Sequence, residues 1–134
     1  KPSKTPQKQV YKNIDVATRK LELESGVLAF IGKSAKDNLL LLRNAKPWFL
    51  WMHLKDLPGS HVIVVKNKNQ KISENDLHVV AKWLLSQQFQ NKKHKMGEKF
   101  DVIYTECRYV KPIKGNKAGL VNYQNEKSLT VKFE

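Results

Sequence analysis

The chain has 134 residues and carries 25 Lys and Arg against 12 Asp and Glu, a formal net charge of +13. That length suits one domain with a core of its own, and a single cysteine, Cys107, excludes an intramolecular disulfide and favours a reducing compartment, here the cytoplasm. No stretch approaches the ~18 consecutive apolar residues of a membrane span, so a membrane partner is not expected, and the charge points to a polyanion, nucleic acid first.

Lys1 to Gln9 is rich in Pro, Lys, Thr and Gln and has too little apolar area to order itself. It also lacks the apolar core of a signal peptide and a starting Met, which suggests an excised domain or a processed chain. Residues 1–18 are read as a flexible basic lead-in or linker and 19–134 as one domain. Within Val10 to Arg19, the spacing of Ile14, Ala17 and Leu21 allows a short helix. Arg19 to Glu24 alternates apolar with polar and predicts a half-buried strand. Ser25-Gly26 is a turn signal, and Val27 to Ile31, apolar throughout, predicts a strand covered on both faces. Ser34 is a helix cap with Asp37 three residues on, which predicts a short helix through about Leu42. Asn44 to Pro47 closes that helix, because proline disfavours helix at the residue before it.

Trp48 to Val65 is the densest stretch: two apolar runs around Asp56-Leu57-Pro58-Gly59-Ser60. Period-two spacing assigns Trp48, Leu50, Met52 and Leu54 to one face as core, and Phe49, Trp51, His53 and Lys55 to the other. His61 to Val65 is the return strand, central in character. Lys66 to Lys71 is a basic turn. Ser73, with Asp76 three residues on, starts the longest helix. Leu77, Ala81, Leu84 and Leu85 form one apolar face, and Val79 and Trp83 a second that is either covered or an exposed anchor. Gln87 to Lys95 ends in a basic cluster and Met96-Gly97 breaks it. Phe100 to Val110 predicts one strand, Lys111 to Lys117 a basic loop, and Leu120 to Tyr123 with Ser128 to Phe133 a last hairpin. The order predicts an α+β fold, a mostly antiparallel sheet backed by one long and one or two short helices.

Three windows hold cations without acids, Lys66 to Lys71, Leu77 to Gly97 and Cys107 to Asn125. Charges segregated in this way favour a directional field. His53, Asp56 and His61 are residue types that suit a metal or, with Ser60, a hydrolytic triad, but the spacing matches no local signature, so neither a metal nor a catalytic residue is assigned. In the structural alternative Asp56 and Ser60 cap the turn, Gly59 supplies a positive φ and both imidazoles bond to backbone.

Gly26 and Gly32, Asn38-Leu39, Ala45, and then Trp51-x-His53-x-Lys55-Asp56-x-Pro58-Gly59-Ser60-His61-Val62 resemble the NFACT-R domain. Val102-x-Tyr104-Thr105, Val110-Lys111-Pro112, Lys114-Gly115, Gly119-x-Val121, Leu129 and Val131 fit the same family in the same order. The resemblance covers roughly residues 21–131. It implies the RNA-binding region of ribosome-associated quality-control factors, which recognise stalled large ribosomal subunits carrying peptidyl-tRNA, within a larger protein or as a stand-alone module. The tail-elongation activity of the full-length factors needs domains outside this stretch and is not implied. The expectation is a non-catalytic, cofactor-free module for rRNA or tRNA at the large subunit. Its candidate nucleic-acid-binding residues are Trp51, His53, Lys55, Ser60 and His61 at the turn, Lys92, Lys93 and Lys95 after the long helix, and Arg108, Lys111, Lys114 and Lys117 around the basic loop. Phosphate contacts position a protein without reading bases, so shape should outweigh sequence. The alternatives are an RNA-modifying or hydrolytic enzyme at His53, Asp56 and His61, or a protein-interaction module anchored by Trp83 and Val79.

Overall fold

A computed structural model describes residues 10–12, 14–115 and 120–134. Strands β1 (Thr18–Glu22) and β2 (Leu28–Gly32) lead to helix α1 (Ala35–Arg43), then β3 (Leu50–Leu54), β4 (Val62–Val65) and helix α2 (Glu74–Gln88). Strands β5 (Lys99–Glu106), β6 (Val110–Pro112), β7 (Val121–Tyr123) and β8 (Lys127–Lys132) follow. Six strands form one sheet in the order β1-β2-β4-β3-β5-β8, and β6 pairs with β7 in a separate ribbon. Every pairing is antiparallel. The fold is therefore α+β: among the described residues, an antiparallel sheet of six strands with a small second sheet and two helices.

Period-two alternation splits the sheet's side chains into two cores. Ala29, Ile31, Met52, Leu54, Val62, Val64, Val102 and Val131 pack on one side against Leu77, Val80, Ala81, Leu84 and Leu85 of α2. Leu28, Phe30, Trp51, Ile63, Val65 and Ile103 pack on the other against Leu41 and Leu42 of α1, with Tyr11, Phe49 and Val110. Strand β4 is buried at all four positions because both layers cover it. Each fully buried leucine of α2 contributes on the order of 2 kcal/mol through the area it removes from water.

Both helix starts follow the sequence. Ser34 Oγ accepts from the amide of Asp37 and Ser73 Oγ from that of Asp76, each 3.1 Å away. The carboxyl of Asp37 also accepts from the amide of Ala17 and the hydroxyl of Ser34, bonds that hold its pKa below the usual carboxylate value. Residues 10–12 form a turn rather than a helix. Tyr11 packs edge-on against Phe30 and donates its hydroxyl to the Leu41 carbonyl at 2.7 Å. Residues 1–9, and Asn13, lie outside the described residues.

Three local expectations are corrected. Trp48 lies ahead of β3 and packs with the α1-side core, its indole N–H donating to the Lys66 carbonyl. The strand expected from Phe100 to Val110 is interrupted, because the amides of Cys107 and Arg108 donate to the carbonyls of Phe49 and Pro47, pulling Cys107–Tyr109 into a short 3-10 turn. The last hairpin does not form either. β7 returns along β6, and β8 takes the free edge of β5, whose eight residues offer it a six-residue register. Trp83 is half-buried against the α2-side core, which removes the main support for an exposed anchor, while Val79 is exposed. Among the described residues no helix is long and apolar enough to cross a membrane.

Candidate functional site

The antiparallel pairing of β3 with β4 places the Asp56 to Ser60 turn at one end of the sheet. Trp51, His53 and His61 all project to the α1-side face there. The His53 and His61 rings meet edge to face at 4.9 Å, and Trp51 lies parallel to His53 at 5.6 Å. The Trp51 indole N–H donates to Nδ1 of His61 at 3.1 Å. An indole N–H can only donate, so His61 Nδ1 is the acceptor and its ring proton sits on Nε2. Nδ1 of His53 lies 2.6 Å from the Leu54 carbonyl, which can only accept, so there the proton sits on Nδ1.

Burial disfavours the charged form of both rings. It pushes His61 down to about 3, with His53 adding a smaller repulsion. It also lowers His53, against the opposing pull of the backbone at Leu54 and Gly59. The two imidazoles are therefore neutral at physiological pH. They line a cleft of about 300 Å3 with Asp56, Pro58, Leu120 and Tyr123. Tyr123 lies 5.4 Å from Trp51 and brings the β6–β7 ribbon over this face. The ribbon is held at its far end by Thr105, whose hydroxyl donates to the Gln124 carbonyl at 2.9 Å.

The turn itself is clamped from the opposite layer. Gln88, the last residue of α2, accepts from the Ser60 amide at 2.9 Å and donates to the Pro58 carbonyl at 3.2 Å. A Cβ on Gly59 would lie 2.1 Å from the Gln88 Oε1. Close approach explains this glycine, not the expected positive φ; Asp56 holds the left-handed conformation instead, at φ 61°. Asp56 is exposed. Among the described residues no group of three or more His, Cys, Asp and Glu could hold a metal.

The predicted residues separate into three settings. Trp51 and His61 are 1% and 5% exposed, so they form the wall of the cleft and present no open ring face. Lys55 is exposed, and His53 and Ser60 are half-buried. Lys92 and Lys93 are exposed and Lys95 half-buried, just beyond α2, where the Lys95 ammonium sits 5.6 Å over Phe89. Gln88 joins this helix end to the turn, so Lys55, Lys92 and Lys93 share one end of the sheet. Val121 lines the turn's cleft, which directs the tip of the ribbon, with exposed Lys114, toward that same end. Arg108 and Lys111 lie apart, in a groove of about 330 Å3 against Arg43 and Pro47. Lys117 lies outside the described residues.

Among the described residues, two cations of the acid-free windows do find acids. Arg108 pairs with Glu106 at 2.7 Å and Lys82 with Glu134 at 3.4 Å. Glu134 is 52 residues from Lys82, so a local window could not show it. The clamp at Gln88 and the wall formed by Leu120, Val121 and Tyr123 were likewise missed. The one available signal for the wall was Gly119-x-Val121, which fixes a motif without its place.

No protein-family model matches the chain. It is 30% identical over 111 residues to the Rqc2 homolog RqcH of Bacillus subtilis, covering 82% of this chain and 18% of that protein. It is also 30% identical to the Rqc2 homolog RqcH of Streptococcus suis, over 84% of this chain and 20% of that one. The chain thus spans about a fifth of the length of these curated relatives. Among solved structures it is similar to the C-terminal part of the fibronectin/fibrinogen-binding protein of Streptococcus suis. That match has a TM-score of 0.74 and 26% identity, over 90% of this chain and 46% of that one. Over most of its length the chain is similar to a segment of these Rqc2 homologs, which supports an NFACT-related domain.

Proposed function

We propose that the chain is a non-catalytic RNA-binding module of the NFACT-R type. It acts in the cytoplasm in ribosome-associated quality control and engages rRNA or tRNA at the large ribosomal subunit as part of a larger NFACT-type protein or as a stand-alone module. The observation that carries this reading is the gathering of exposed lysines at one end of the sheet. Lys55, Lys92 with Lys93, and Lys114 come from three separate stretches and lie toward the end of the sheet that carries the clamped turn. Converging cations on a clamped scaffold suit a phosphate backbone, which is held by charge and position. The kinship with Rqc2 homologs supplies the ribosomal context. In this reading the neutral imidazoles and Trp51 keep the turn in place, and His53, Lys55 and Ser60 meet the RNA. The test is crosslinking in cells followed by sequencing of the bound RNA. Enrichment of rRNA or tRNA is expected, and a sample without either overturns the reading.

One observation favours a second reading, an RNA-modifying or hydrolytic enzyme: the two imidazoles converge at 4.9 Å beside a cleft. Weighing against it, Nδ1 of each ring is already engaged, by Trp51 and by the Leu54 carbonyl. Turnover of an RNA substrate that disappears in His53→Ala would establish it.

A further inference from the structure

A cleft of about 540 Å3 lies at the opposite end of the sheet from the histidine turn. Its size falls among ordinary small-ligand sites of about 300–1,000 Å3. Leu50, Ile72 and Leu77 make an apolar floor, and Tyr104 and Tyr109 stand beside them. Lys66, Lys68, Lys71 and Lys127 also line it. The acid in the lining is Glu106, whose carboxylate is taken by Arg108 at 2.7 Å. An apolar floor with aromatic walls and a ring of ammonium groups matches a nucleobase joined to a phosphate.

The loop that carries most of these lysines is fixed in advance. The buried Lys66 ammonium donates to the carbonyls of Gln70 at 2.8 Å and Asn67 at 3.2 Å. The Asn67 amide donates to the Gln70 side chain at 2.9 Å, and the Gln70 amide to the Asn67 carbonyl at 3.1 Å. Trp48 reaches the same loop through its bond to the Lys66 carbonyl, and the Lys68 ammonium sits 5.8 Å over its ring. Lys66 is thus structural, while Lys68 and Lys71 are exposed at the rim and Tyr109 is 36% exposed.

We propose that this cleft takes one unpaired nucleotide of a single-stranded RNA segment, its base against Tyr109 and its phosphate among Lys68, Lys71 and Lys127. The inference rests on the RNA-binding reading and adds a second contact region to it. Stacking on tyrosine tolerates any base, and the side-chain amides of Asn69 and Asn125, which also line the cleft, can meet base edges.

The test uses the full chain, a labelled single-stranded RNA hexamer at low salt, and fluorescence anisotropy. The paired reversals Lys68→Glu and Lys71→Glu should weaken binding about tenfold or more, Tyr109→Ala about three- to tenfold, and Tyr109→Phe less than about twofold. These side chains are exposed, so the variants should keep the wild-type thermal unfolding midpoint. In the wild type, adenosine monophosphate alone should shift the amide resonances of residues 67–71, and inorganic phosphate should shift fewer of them. If phosphate reproduces every shift, the base slot is overturned. Hexamer affinity that ignores the Lys68, Lys71 and Tyr109 changes but falls with Lys92→Glu and Lys93→Glu overturns the cleft and leaves RNA binding intact. A wild-type chain that binds no RNA removes both.

Discussion

His61 makes the fold sensitive to mild acid. Its ring is 5% exposed, and its Nδ1 accepts the Trp51 indole N–H. Burial holds the folded pKa at about 3, whereas the unfolded ring takes a proton near its ordinary value of 6.5. Between these values the unfolded chain binds one more proton than the folded one, so falling pH favours unfolding. The contribution is complete above 6.5 and is lost as pH falls toward 3. From about pH 7.5 to about pH 5 the loss is about 2 kcal/mol, at 1.36 kcal/mol per unit. His53 is lowered in the same direction and adds to it. Asp37 contributes little here, because it loses its hydrogen-bond advantage only below its ordinary 3.8. With a urea slope of about 1–3 kcal/mol/M, the midpoint should fall by roughly 1 M across this range. His61→Gln keeps an acceptor for Trp51 without a titrating proton. It should lower stability at neutral pH by about 1 kcal/mol and flatten most of the pH slope. An unchanged slope in that variant would refute the neutral, buried imidazole.

Gly59→Ala should cost about 1–2 kcal/mol, because the new methyl displaces the Gln88 amide and its two bonds to the turn. In a Gln88→Ala background the same change should be nearly neutral, which a double-mutant cycle in urea checks. Gly32→Ala should cost more, about 2–4 kcal/mol, since its Cβ would meet the Asn38 backbone amide at 2.8 Å as well as the side chain, and backbone cannot swing aside. Tyr11→Phe should cost about 1 kcal/mol by leaving the Leu41 carbonyl without its donor, read from the thermal midpoint. Reversing Lys92 and Lys93 to Glu should weaken RNA binding and reduce its salt slope by about 0.7 for each lost single-strand phosphate contact.

Local rules recovered much of the fold. Ser34 and Ser73 cap their helices because a serine followed three residues on by an acid has few better uses. The apolar run of β4 marked it as central because only a strand covered on both faces is that apolar. Pairing beyond neighbours was not legible. Nothing in Leu120 to Phe133 tells β7 to pair with β6 and β8 with β5, since the choice depends on the edge left open by β5. Nor does alternation across Cys107 reveal the carbonyls of Pro47 and Phe49 that bend it. At the site, the motif from Trp51 to His61 pointed to side chains that the fold does bring together. It could not separate wall from surface, because Trp51 is covered by Tyr123, some seventy positions on, and His61 by Trp51 and His53. The larger cleft draws its lining from residues 50, 66, 68–72, 77, 104–106, 109, 125 and 127, and no single window of sequence contains it.

The strand order also sets how the domain would respond to tension. β1 and β8 occupy opposite edges of the six-stranded sheet, about 24 Å apart at roughly 4.8 Å per strand spacing. Thr18 pairs with Gly32 and Lys132 with Lys99, which puts the entry of β1 and the exit of β8 at the same end of the sheet. A force applied through Thr18 and Lys132 therefore acts across the strands. It loads the β1–β2 and β5–β8 ladders one hydrogen bond at a time, from the ends, so the edges unzip where a sheet pulled lengthwise would resist by shear. β8 would then carry Val131 out of the α2-side core.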